Sequence, residues 1–242
     1  MTVDRPDPER DTAAAQEATQ SLIAAATALP EEALAEPSRL PGWTRGHVLA
    51  HVARNADALI NLLTWARTGE ETPMYASAEE RDNAIAAGAG RPLAEQVADL
   101  RASAERFAEA VAGMPPPGWA GQVTMRSGRV IAAAEVPWRR LIEVRLHHVD
   151  LDAGYDCADL PGDFAARELA HVLDGLTGHE GIAAVELRDT GSGQVWKLGA
   201  ADEPDLVVAG TCHDLVGWVT GRGTGADLSV TPDAPLPVLP PL

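Results

Sequence analysis

Two histidines and a glutamate form a set that could hold a metal ion. Glu143 and His147 are four residues apart in Trp138-Arg-Arg-Leu-Ile-Glu-Val-Arg-Leu-His-His-Val-Asp150. On a helix that spacing projects both side chains from one face, one turn apart. His51 lies in an earlier apolar stretch, Thr44-Arg-Gly-His-Val-Leu-Ala-His-Val-Ala-Arg54, which also reads as helix. Two imidazoles and one carboxylate from two packed helices make a zinc site of the catalytic type. Three protein ligands leave a fourth position open to water, substrate or a thiol. The same donors accept other divalent ions.

Each piece is weak alone. An acid and a histidine one turn apart are commonly a surface pair, and a single histidine among apolar residues is commonly a core group. His47 and His51 are also four apart and could chelate without Glu143. His148 points about 100° away from the Glu143 face. Asp150 lies near the face of His147, where it could orient the imidazole from behind, although a surface acid is the simpler reading. His171, His179 and His213 read as structural or surface residues. His179-Glu180 lacks the second histidine of a zinc-protease helix.

The elements that must position these residues can be drawn from periodicity and breakers. Residues 11–29 are Ala-rich and helical, and Pro30 ends them. Thr44 is an N-cap for a helix from Arg45 to about Thr68, with Gly69 as its stop. Val48, Val52, Leu59 and Leu63 mark the buried stripe of that helix. A short helix is expected from Ser77, with Glu80 as capping-box partner. Pro92 opens a strong helix over 93–112, ended by Gly113 and the prolines at 115–117. Residues 118–134 are mixed, with a turn at Arg126-Ser-Gly-Arg129. Pro137 suits the first turn of a helix ending near Gly154. Four long helices in this order imply an antiparallel bundle, whose interior is a usual place for metal sites.

The second half changes character. Tyr155 to Gly162 is polar and marks a boundary, giving a metal-binding helical domain over 1–155 and an α+β domain over 156–242. The expected order there is helix 163–177, strand 184–189, a turn at Thr190-Gly-Ser-Gly193, strand 194–198, strand 206–209, helix 212–220 and a short strand 228–230. The sheet should be mostly antiparallel, and Pro232 to Pro241 should lack structure of its own. Gly221-Arg-Gly-Thr-Gly225 fails both the P-loop and the dinucleotide patterns. It reads as a tight turn that exposes Arg222, with a glycine on either side to let a ligand approach. A carboxylate is the natural ligand for such an arginine.

Composition narrows the partners. Over 242 residues Asp plus Glu outnumber Lys plus Arg 36 to 19, for a net charge of −17. That argues against nucleic acid and anionic membranes as partners. An anionic small substrate would need a local cluster of arginine or metal. Cys157 and Cys212 read as two reduced thiols of a cytoplasmic protein. The charged, Pro-containing first ten residues do not resemble a signal peptide, and no apolar run reaches membrane-spanning length. A cytoplasmic monomer is the expected state.

Four segments together resemble a known family. They are Gly42-Trp-Thr-Arg-Gly-His-Val-Leu-Ala-His51-Val, then Trp65-Ala-Arg-Thr-Gly-Glu-Glu-Thr-Pro-Met-Tyr75, then Glu143-Val-Arg-Leu-His147-His-Val-Asp-Leu151, and Gly221-Arg222-Gly223. Their order and content resemble the mycothiol-dependent maleylpyruvate isomerases over nearly the whole chain. The Thr-Gly-Glu-Glu-Thr-Pro-Met-Tyr run is the most specific piece. The His and Glu-x-x-x-His elements are shared with the wider DinB-like metalloprotein superfamily. The resemblance implies an N-terminal DinB-like four-helix bundle and a C-terminal domain similar to sterol-carrier proteins. It implies zinc on His51, Glu143 and His147, and a functional role for Arg222.

The resemblance also implies a reaction, the cis-trans isomerisation of maleylpyruvate to fumarylpyruvate in gentisate-type aromatic degradation, with mycothiol as the thiol cofactor. A carbon–carbon double bond turns only after a nucleophile has added to it. A free thiol is mostly protonated at neutral pH, and zinc would remove that proton. The enolate formed on addition needs positive charge from zinc or Arg222, and Arg222 can hold a substrate carboxylate. With Arg222 on the second domain, the site is expected in an interdomain cleft. No protein nucleophile is required of Cys157 or Cys212. Two other readings compete. One is a mycothiol S-transferase acting on other electrophiles. The other is a non-enzymatic metal- or lipid-binding module.

Overall fold

Local signals fix where the helices begin and end. In a computed structural model, which describes residues 6–176, 181–182, 184–199 and 203–240, helix α1 runs Pro8–Thr27 with Asp7 accepting from the Arg10 N–H as its N-cap. Helix α2, Arg45–Thr68, starts at Thr44, whose hydroxyl accepts from the His47 N–H, and stops at Gly69 in the left-handed conformation, φ 77°. Helix α3, Ala78–Ala89, is capped by the Ser77 side chain, which accepts from the Glu80 N–H. Helices α4, Leu93–Ala112, and α5, Val136–Asp150, follow prolines at Pro92 and within the first turn. Each start satisfies orphan N–H groups or removes one by proline.

The chain divides into two compact units, Met1–Gly154 and Tyr155–Leu242. In the first, α2 packs against α4, α3 and α5, and α1 packs against α5 and α4. Leu59, Leu62, Leu63 and Phe107 fill the space between them. Each such side chain contributes roughly 1.5–3 kcal/mol by leaving water. The mixed stretch before α5 holds two short strands that sequence periodicity does not separate. They are β1, Gln122–Thr124, and β2, Val130–Ala132, paired antiparallel with Val123 opposite Ile131. Three-residue strands carry too little alternation to read, yet Val123 and Ile131 are both buried in this core.

In the second unit α6, Gly162–Leu176, and α7, Cys212–Val219, pack on each other and on a four-stranded sheet. Its strands are β3, Val185–Asp189; β4, Val195–Leu198; β5, Leu206–Gly210; and β6, Ser229–Thr231, in the order β4-β3-β5-β6. Val185, Leu187, Trp196, Leu198 and Val208 form the buried face. The outer pairs are antiparallel, but the central pair, β3 with β5, is parallel. The sheet is therefore mixed. Strand β4 takes the edge as the hairpin partner of β3, so the chain returns on the other side of β3 in the same direction. Residues 232–240 carry neither helix nor strand. Among the described residues no helix is long and apolar enough to cross a membrane.

Candidate metal centre

Helices α2 and α5 are brought together by polar ties as well as by apolar contact. Arg45, the first residue of α2, donates from Nε to the Leu151 carbonyl at 3.0 Å and from Nη2 to the Asp152 carbonyl at 2.9 Å. Its guanidinium thus caps the C-terminal end of α5, where carbonyls lack helical partners. Arg140 reaches the other way. It is buried, and its Nη1 donates to the Val52 carbonyl at 2.8 Å and to Asn55 Oδ1 at 3.0 Å. Burial lowers its pKa to about 10, so it stays charged at neutral pH. Helix α3 lies close on α2 because Gly46 and Gly88 carry no side chain. A Cβ at Gly46 would overlap the Ala89 carbonyl oxygen, and one at Gly88 would lie 2.8 Å from Ala50 Cβ.

Between these ties three donors converge. His51 Nε2 lies 3.0 Å from Glu143 Oε2, and His147 Nε2 lies 3.3 Å from the same oxygen. The two imidazoles meet edge to face at 4.5 Å. One donor atom from each of the three side chains falls within 4.8 Å of the others. Donors about 2 Å from a tetrahedral ion stand about 3.3 Å apart, so the two nitrogen–oxygen separations fit that donor set. No other group of three such side chains occurs among the described residues.

The neighbours of the donors decide which nitrogen faces inward. His147 Nδ1 lies 2.8 Å from Asp150 Oδ2, and Asp150 is fully buried. Asp150 is therefore not a surface acid. It holds the Nδ1–H and leaves the Nε2 lone pair directed at the cluster. His47 does not compete for the site. Its Nδ1 meets the Thr44 N–H at 3.3 Å and the Thr44 hydroxyl at 2.8 Å, so it caps α2. His148 is buried outside the cluster, His171 lies on α6 and is partly exposed, and His213 Nε2 is 2.9 Å from the Leu160 carbonyl. His179 lies outside the described residues.

Electrostatics separates the two histidines. Burial, then the His147 charge, lowers the His51 pKa. Burial also disfavours a charged His147, but its bonds to Asp150 and Glu143 outweigh that and raise its pKa. For Glu143 burial opposes ionisation, and the bonds to His147 and His51 overcome it, holding the carboxyl well below its usual range. Without a metal these shifts favour an ionised Glu143 and make His147 the readier of the two imidazoles to take a proton. The Glu143 side chain is 31% exposed, against 7% and 13% for His51 and His147, so the cluster opens on the carboxylate side.

Three residues around this opening give no signal of site chemistry in the sequence. The Trp43 ring stands 5.4 Å from the His51 ring. The Arg81 guanidinium carbon lies 5.9 Å from the Trp43 ring and 5.9 Å from the Tyr75 ring. Trp43 and Tyr75 sit in the first two segments that carry the family resemblance, so their place there is the available clue. Arg81 is one more charge on a polar helix, and nothing in its spacing distinguishes it.

Arg222 belongs to the second unit. Gly221 and Gly225 both take positive φ, 72° and 71°, as a tight turn requires. The Arg222 N–H donates to the Gly217 carbonyl at 2.8 Å and its Nη1 to the Thr220 carbonyl at 3.0 Å. The side chain is half-buried rather than exposed, because its own turn accepts from it. Both cysteines are free thiols.

Residues 15–152 match the family described as the mycothiol maleylpyruvate isomerase N-terminal domain. Two crystal structures share the fold over 96% of this chain and 96% of theirs. One is of the mycothiol-dependent maleylpyruvate isomerase, with TM-score 0.89 and 31% identity. The other is of a histidine-to-alanine mutant of that enzyme, with TM-score 0.88 and 30% identity. A Mycobacterium tuberculosis protein of uncharacterised function, from strain H37Rv, is 26% identical over 230 residues, 88% of this chain and 85% of its own length. The His51, Glu143 and His147 cluster of α2 and α5 thus falls within the matched segment, and the chain belongs to the mycothiol maleylpyruvate isomerase N-terminal domain family.

Proposed function

We propose that this chain is a metal- and mycothiol-dependent isomerase that converts maleylpyruvate to fumarylpyruvate in gentisate-type aromatic degradation. The observation that carries the reading is the convergence of His51, Glu143 and His147 in a chain aligned almost end to end with such an enzyme. Residues 1–155 are read as a DinB-like four-helix bundle and residues 156–242 as a sterol-carrier-like α+β domain. The protein is read as a cytoplasmic monomer.

His51, Glu143 and His147 would hold a divalent ion of the zinc type. Such an ion supplies a Lewis-acid position at which a thiol loses its proton near neutral pH. The chain's own residues do the rest. Asp150 fixes the His147 tautomer, so the donor nitrogen needs no reorientation. Burial keeps His51 neutral and therefore able to donate its lone pair. Trp43 shields the His51 side from water. The isomerisation requires that a double bond become single for long enough to turn. Negative charge then develops on the substrate's oxygen, and Arg222 is assigned to meet that charge or to hold a carboxylate.

The test is isomerisation of maleylpyruvate followed by absorbance, with mycothiol present or absent and with metal stripped or restored. Activity that needs both thiol and metal is the expected result. A folded, metal-loaded protein without activity would move the reading to mycothiol S-transfer onto other electrophiles.

A further inference from the structure

A dicarboxylate brought to this opening meets a problem of charge. The chain carries a net charge of −17, and Glu143 is ionised at the mouth of the cluster. Two carboxylates leave water here only if local cations receive them. Arg126 acts on Tyr75 and the buried Arg140 on Glu143, but Arg140 is held by Val52 and Asn55, and among the described residues of the first unit Arg81 is the guanidinium packed on the rings beside the cluster. The Arg81 side chain is 17% exposed, comes from the first turn of α3, and lies against both the Trp43 and Tyr75 rings. Trp43 in turn contacts His51. Arg81 is near enough to the cluster for its charge to act on His51, and Tyr75 near enough to Glu143 to feel the carboxylate.

The surroundings of Arg81 suit ligand binding better than an ion pair. Among the described residues its one salt bridge is to its chain neighbour Asp82, Nη1 to Oδ1 at 2.6 Å, and Asp82 is 67% exposed. Such an exposed pair is worth about 0–1 kcal/mol and yields to a better acceptor. A guanidinium has five N–H donors in a planar fork; the Asp82 bond uses one and a bond to the Tyr75 side chain another, which leaves three for a ligand. The two aromatic rings restrict the side chain's rotamers, which lowers the ordering cost of binding. Close packing of α3 on α2 through Gly46 and Gly88 fixes the helix that carries it.

We propose that Arg81, clamped by Trp43 and Tyr75 beside the His51–Glu143–His147 cluster, binds one carboxylate of the substrate, with the Tyr75 hydroxyl donating to the same end. The dicarboxylate as substrate class rests on the proposed function. The assignment gives the first unit a carboxylate subsite of its own, independent of Arg222.

The test uses the full-length protein loaded with Co2+, titrated with maleate and, separately, with acrylate as a monocarboxylate control, while the visible Co2+ absorption is followed. The Arg81→Met and Arg81→Lys variants are compared with the unaltered chain. Maleate should perturb the spectrum of the unaltered chain. Arg81→Met should retain Co2+ and weaken maleate binding by about tenfold or more, with acrylate changed much less. Arg81→Lys should fall in between, because an ammonium keeps the charge but loses the fork. Absence of a maleate response in the unaltered chain overturns the proposal, as does wild-type maleate affinity in Arg81→Met. Should Arg81→Met not hold Co2+, Arg81→Lys decides: weakened maleate binding with metal retained supports the subsite, and unchanged binding overturns it. The isomerase assay keeps the two readings apart. Arg81-dependent maleate binding in a chain without isomerase activity removes the reaction and leaves the subsite. Isomerase activity with unchanged KM and kcat in Arg81→Met removes the subsite and leaves the reaction.

Discussion

The His51–Glu143–His147 cluster and the Arg222 turn are built by opposite means. In the cluster each side chain leaves a helix and is aimed by another side chain: Asp150 holds His147, and Glu143 spans both imidazoles. In the turn the backbone does the aiming. Gly221 and Gly225 supply positive φ, a Cβ added at Gly223 would lie 3.2 Å from the Gly217 carbonyl carbon, and the guanidinium bonds its own chain at Thr220. A side-chain cluster fails when one member is lost, because the others lose their orientation and charge balance together. A backbone turn survives the loss of its side chain and forfeits only the chemistry that side chain supplies.

The difference is tested first by His51→Ala, for which the largest effect is expected. It should abolish stoichiometric metal retention, read by elemental analysis, and with it mycothiol-dependent isomerisation, while circular dichroism remains helical. Full metal occupancy in this variant would break the assignment of the cluster as a metal site. Arg222→Ala should do the reverse. Metal content should be unchanged while kcat/KM falls about 10–150-fold, the range for losing one charge-assisted bond of about 1.5–3 kcal/mol. An Arg222→Ala enzyme of full activity would remove the turn from the reaction.

Asp150→Asn sharpens the comparison, since it alters no donor atom. Metal affinity should fall about 10–100-fold, the usual cost of losing the partner behind a ligating imidazole. The pH dependence has a definite sign. Asp150 raises the His147 pKa, so protons compete with metal from a pH above the ordinary histidine value downwards. Removing the carboxylate should move the onset of metal loss to lower pH. In the metal-free protein the raised His147 pKa contributes stability below about pH 6.5, lost as pH rises through its folded value. The lowered Glu143 pKa contributes above the ordinary carboxyl range and is lost as pH falls through its own folded value. Chelator competition against pH, for both proteins, reads the first shift. An unshifted onset would mean that Asp150 does not control His147.

How much of this can be read from the sequence follows the same division. Glu143 and His147 are legible because a helix converts a spacing of four into one face, and Thr44, Gly69 and Pro137 mark the ends of the helices concerned. Spacing does not choose between His51 and His47, since both sit in one helix. The capping of α2 by His47 decides it, and that bond depends on where the helix starts. Asp150 reads as a surface acid in the sequence because burial is a tertiary fact, set here by how α5 ends against Arg39 and Arg45. Arg81 and Arg140 carry no signal, because an arginine's reach exceeds any local pattern. In the second unit the hairpin of β3 and β4 is legible from its glycine turn. The parallel pairing of β3 with β5 is not, because alternation shows which face is buried but not which neighbour or direction a strand takes.

The smallest effect is expected at Cys212, where local and tertiary signals conflict. It is the first residue of α7, and a helix N-terminus ordinarily lowers a thiol's pKa and makes it nucleophilic. Here burial, then the Asp189 charge, pushes the thiol up to about 11. At pH 8 the thiolate fraction is on the order of one in a thousand, too small to rival an external thiol. Cys212→Ser should therefore leave the rate and its dependence on mycothiol unchanged, in contrast to every member of the His51–Glu143–His147 cluster. Iodoacetamide should label Cys212 slowly at neutral pH, with the rate still rising past the pH at which a free thiol levels off. Rapid neutral-pH labelling together with a loss of rate in Cys212→Ser would place a protein nucleophile in the second unit, and the external thiol would lose its place as the group that adds to the double bond.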